Sequence, residues 1–68
     1  MMTAAEFCEA LAQLGLSKGD AGELFGTDPR TPYRWARGDR PIPPTVAMLL
    51  RLMLRGKVTA HEITAAQS

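Results

Sequence analysis

The stretch TDPRTPYRWARGDRPIPP, residues 27 to 44, holds Arg30, Arg34, Arg37 and Arg40 together with Tyr33 and the only tryptophan, Trp35. A guanidinium is a planar fork of N–H donors that stays charged at any physiological pH, so this cluster is equipped to grip anions and paired acceptor atoms. Residues for bond-making chemistry are sparse by contrast. Cys8 and His61 are the only cysteine and histidine, and neither has a companion that would make it a nucleophile, a general base or a metal ligand. No catalytic residue, metal site or cofactor is expected. Cys8 reads as a buried thiol and His61 as an exposed imidazole.

The formal net charge of +1 hides a division along the chain. From Met1 to Thr27, Glu6, Glu9, Asp20 and Glu23 face only Lys18, a net of −3, whereas from Asp28 onward seven bases face three acids, a net of +4. A small protein polarised in this way can turn its basic face to a polyanion. Sixty-eight residues make one domain near the lower limit for an unassisted core, too small for a large enclosed substrate pocket. The longest run without charge, PIPPTVAMLL, is too short to cross a bilayer, and the N-terminal MMTAAEFCEALAQL carries acids where a signal peptide would carry bases. A soluble cytoplasmic chain with no membrane partner is expected, and a lone cysteine leaves it no internal disulfide.

The elements that must position the arginines are legible from spacing and caps. Thr3 and Glu6 form a capping box before a helix predicted over residues 4 to 13, with Phe7, Ala10, Leu11 and Leu14 on one face. Ser17 and Asp20 open a second helix that packs Ala21, Leu24 and Phe25 and ends at Gly26. For the third, Asp28 reads as the N-cap with Pro29 at the first helical position and a first turn distorted by Pro32; a later start, capped by Thr31, is the alternative. Its spacing sets Pro32, Trp35 and Ala36 on one side, leaves Arg30, Thr31, Tyr33, Arg34 and Arg37 elsewhere, and stops at Gly38. After the extended connector DRPIPP, a fourth helix over residues 44 to 55 points Val46, Leu49, Leu50 and Met53 inward. Thr59 with Glu62 opens a fifth over about residues 60 to 66. The fold class is therefore all-α, a compact bundle of four to five short helices.

Two short helices joined at a glycine, the second basic on its outer side, are what a helix-turn-helix requires. The segment LSKGDAGELFGTDPRTPYRWARGDRPIP resembles the helix-turn-helix of XRE-type regulators, the family of the phage lambda repressor and Cro. The likeness covers roughly residues 14 to 55 and rests on LS opening the second helix, LFG at the turn and RWARGDRPIP after it. It implies that Ala21 packs on the recognition helix, Gly26 makes the turn, Trp35 is a core residue and Gly38 ends the recognition helix. The chain departs from the family pattern at Pro32, where a branched apolar residue is usual, and at Ala36, where an acid is common.

The function implied is sequence-specific binding of double-stranded DNA. Arg30 and Arg34 are the expected base readers, since arginine can pair bidentately with guanine. Tyr33 suits a phosphate or a thymine methyl, and Arg37 and Arg40 suit phosphates. Thr31 lies on the same exposed side, and Ser17 and Lys18 suit phosphates at the start of the second helix. The expected protein is a homodimeric repressor or autorepressor of phage or mobile-element type, acting on an inverted-repeat operator without a small-molecule effector. Met48, Leu52 and Leu54 lie outside the fourth helix's core stripe; either the fifth helix covers them or, with Val58, they form the dimer surface. The rival reading is a protein-interaction module, such as an antitoxin, that uses this apolar patch.

Overall fold

Thr3 opens the first helix by a reciprocal cap. Its hydroxyl accepts from the Glu6 amide at 3.1 Å, and its own amide donates to the Glu6 carboxylate at 2.8 Å, which satisfies amides that a helix start leaves unpaired. The computed structural model, which describes residues 1 to 67, then runs α1 (Ala4–Leu14), α2 (Lys18–Leu24), α3 (Thr31–Arg37), α4 (Pro44–Leu54) and α5 (Ala60–Gln67), with no strand among the described residues. The same two-way box starts α2 from Ser17 and Asp20, and α5 from Thr59 and Glu62. The expected all-helical bundle is the fold. Its radius of gyration is 10.8 Å, close to the value of about 11 Å for a folded chain of this length.

α1 packs on α3 and α4, while α2 packs on α3 and α5. Phe7, Ala10 and Leu11 meet Ala21, Leu24, Trp35, Val46, Ala47, Leu50, Met53 and Ile63 in one core. Leu49, expected inside, is half-buried, and Ala47 is buried on the other flank of the stripe. Two core residues come from outside the helices. Met2 and Ile42 are 6% and 5% exposed. Met2 stands just before the Thr3 cap and Phe7 four positions into the helix, the pairing of a hydrophobic staple.

The start of α3 differs from the favoured expectation. The Asp28 carboxylate accepts from the Arg30 amide at 2.8 Å and the Asp28 carbonyl from the Thr31 amide at 3.0 Å, so residues 28 to 31 form a tight turn that consumes Pro29. The helix begins only at Thr31, with Arg30 as its N-cap residue in right-handed helical geometry (φ −81°, ψ −22°) and no side-chain cap. Pro32 is accepted because the amide it lacks is one that a first helical turn leaves unpaired. It is fully buried, and its ring faces Gly22 of α2.

Cys8 is likewise not the expected buried thiol. The inner side of α1 is taken by Phe7, Ala10 and Leu11, and Cys8 falls on the flank, exposed, with its thiol 3.9 Å from the Ala36 carbonyl. His61 is exposed as expected. On α4, Met48 and Leu54 remain 53% and 40% exposed because α5 docks on α2. Leu52 is half-buried, and Val58 packs against the core.

Candidate nucleic-acid interface

The turn between α2 and α3 sets the geometry of the basic face. Gly26 adopts φ +66°, a left-handed conformation that a side chain strains, while its amide donates to the Glu23 carbonyl at 3.2 Å and that of Thr27 to Gly22 at 2.9 Å. These bonds close α2 and redirect the chain. Pro29 and Pro32 then pass so near α2 that a β-carbon on Gly22 would lie 3.5 Å from each. On the other side, the Trp35 and Phe7 rings meet edge-to-face, centroids 5.7 Å apart. With Pro32 and Trp35 held inside and Ala36 packed against the edge of the core, Tyr33, Arg34 and Arg37 of this seven-residue helix point outward.

Arg30, Tyr33, Arg34 and Arg37 are all exposed and line one shallow depression of about 360 Å³. Thr31, Arg34 and Arg40 line a second, together with Trp35, Pro41 and Pro43. Ser17, Lys18 and Tyr33 line a third at the α1–α2 edge, beside Cys8. Tyr33 and Arg34 are shared between depressions. All eight residues singled out from the sequence for this site therefore lie on one connected surface. The Lys18 ammonium stands 5.8 Å from the centre of the Tyr33 ring, a cation–π contact that joins the start of α2 to α3.

Five cations thus share a face whose nearby carboxylates are engaged. Asp39 pairs with Arg37 at 3.3 Å, and Asp28 is turned back onto the Arg30 amide. Neither Arg30 nor Arg34 has a carboxylate within 4 Å among the described residues. The pairing of Asp39 with Arg37 lies outside the sequence expectations, its signal being the acid two residues beyond Arg37. The start of α2 is less open to anions than the sequence implied. The Ser17 hydroxyl accepts from the Asp20 amide, and the Asp20 carboxylate accepts from Ser17. The Ser17 amide, followed by its hydroxyl, holds the Asp20 carboxyl below the usual carboxylate range, and Thr3 does the same to Glu6. An ionised carboxylate therefore sits at that helix end, and Lys18 is the group there suited to an anion.

A larger groove, about 550 Å³, is lined by Met1, Met2, Ile42, Ala47, Arg51 and the prolines at 41, 43 and 44. Its single charged residue, Arg51, is close enough to Glu6 to favour that carboxylate's ionised form, which offsets the groove's pull on an anion. Among the described residues no group of three or more His, Cys, Asp or Glu side chains can hold a metal, and no helix is long and apolar enough to cross a membrane. In comparisons with known proteins, no family model, no curated protein and no solved structure matches this chain.

Proposed function

We propose that the chain is a sequence-specific DNA-binding transcriptional regulator of the lambda repressor and Cro kind, a cytoplasmic homodimer that represses from an inverted-repeat operator and carries out no catalysis. The observation that supports this reading is the connected surface of Lys18, Arg30, Arg34, Arg37 and Arg40 around exposed Tyr33 and Thr31, on a helix whose opposite side is buried. In this reading α3 enters the major groove, Arg30 and Arg34 face base edges, and Lys18, Arg37 and Arg40 meet phosphates on either side. The short reach of α3 supports a dimer. Seven residues of helix are about 10 Å long and reach only a few base pairs, too few for a unique address unless a second copy reads the neighbouring groove.

Selection of bound duplexes from a random pool, followed by a salt titration on the enriched duplex, tests the proposal. The expected product is an inverted repeat with half-site centres about 10 bp apart. With three phosphate contacts per protomer, log K should fall against log salt with a slope of about −5. A second reading, a protein-interaction module using exposed Met48 and Leu54, predicts no enriched duplex and an interaction nearly indifferent to salt.

A further inference from the structure

The chain contains no asparagine, and its two glutamines, Gln13 and Gln67, lie on α1 and at the end of α5. Gln13 is in addition bonded to Glu9 at 3.2 Å. An adenine is read in the major groove by a bidentate amide side chain, and residues 27 to 44 carry none. A cytosine is read by a carboxylate accepting from its amino group. The two carboxylates flanking α3 are committed, Asp28 to the Arg30 amide and Asp39 to Arg37. Bidentate base-edge hydrogen bonding by α3 is therefore left to arginine, whose partner is the O6 and N7 pair of guanine.

Two of the arginines are placed for it. Arg30 is helical in its backbone, and its carbonyl accepts from the Arg34 amide at 3.2 Å, so the two side chains leave the same side of α3 one turn apart. Four residues advance about 6 Å along a helix, close to two base-pair steps of about 3.4 Å. Arg37 continues the row but is tethered to Asp39. Resting on the DNA-binding reading above, we infer that this protein selects half-sites carrying two guanines about two base pairs apart, read by Arg30 and Arg34, with no adenine read by a bidentate contact.

The test is random-pool selection with the intact protein and with Arg30→Gln and Arg34→Gln, each checked for its helical spectrum and melting temperature. The wild-type half-site should contain both guanines, and replacing either should lower affinity about 5- to 150-fold. Each glutamine variant should change one guanine to adenine, the two changed positions lying about two base pairs apart. An enriched inverted repeat defined only by A·T pairs, or folded glutamine variants that retain the wild-type motif, would overturn the guanine assignment and leave DNA binding intact. No enriched duplex at all would overturn both.

Discussion

Trp35 meets Phe7 edge-to-face, with the ring planes at 87°, and so fixes the inner side of α3 to α1. The indole is 4% exposed, so its role is to hold the helix in place. Trp35→Ala should cost about 3 to 5 kcal/mol, a large part of the stability of a domain this small. Thermal melts should show a large fall in melting temperature, with DNA binding lost in parallel. A Trp35→Ala protein that melts like wild type yet fails to bind would mean the ring touches DNA.

Arg34 and Arg40 line one depression but should fail differently when truncated. Arg34→Ala should cost about 1 to 3 kcal/mol on the selected operator and narrow its lead over altered operators. Arg40→Ala, on the connector, should weaken all duplexes alike and reduce the salt slope by about one per protomer. Anisotropy titrations on cognate and scrambled duplexes separate the two. A folded Arg34→Ala variant with unchanged affinity and preference would show that α3 is not the reading helix.

The ion pair of Arg37 with Asp39 holds a carboxylate on the basic face. Both side chains are well exposed, so the pair adds little stability. Asp39→Ala should leave the melting temperature nearly unchanged, tighten DNA binding, and steepen the salt dependence. Weaker binding by this variant would assign Asp39 a positioning role toward Arg37.

Glu6 and Asp20 both titrate below the usual carboxylate range because the amides and hydroxyls of Thr3 and Ser17 bond their ionised forms. A carboxyl whose folded value is depressed adds stability that is complete above its unfolded value, about 4, and is lost as pH falls through the folded value. Melting temperature should therefore decline from about pH 5 downward as the α1 and α2 caps protonate. The double variant Glu6→Gln, Asp20→Asn should start lower at neutral pH and decline less steeply. An unchanged acid slope in that variant would remove the caps from the account.

What could be read in advance was what depends on neighbours in sequence. Thr3 with Glu6 and Thr59 with Glu62 announced their helices because a capping box is a local hydrogen-bond pair. Trp35 was placed by helical period alone. The start of α3 is not legible locally because Asp28 can cap a helix or close a tight turn with the same carboxylate, and the turn is favoured by Pro32 lying against α2, ten residues distant in sequence from Gly22. The exposure of Cys8 is not legible either, because which flank of α1 is covered depends on α3 and α4. Val58, assigned to a dimer surface, precedes the Thr59 cap as Met2 precedes Thr3, and like Met2 it packs toward the core.

That last observation sharpens the dimer prediction. Met48 and Leu52 stand four residues apart and share one side of α4, whereas Leu54 lies about 120° round the axis from Met48. The three do not form a single stripe, and Met48, 53% exposed, heads the more continuous one. Met48→Glu places a charge there without opening the core, so the melting temperature at low concentration should change little. Light scattering should then show a monomer, and affinity for the inverted repeat should fall to that for a single half-site. Leu54→Glu, on the other flank, should retain the dimer. A Met48→Glu protein that stays dimeric and binds the full operator at wild-type strength would move the interface off this side of α4.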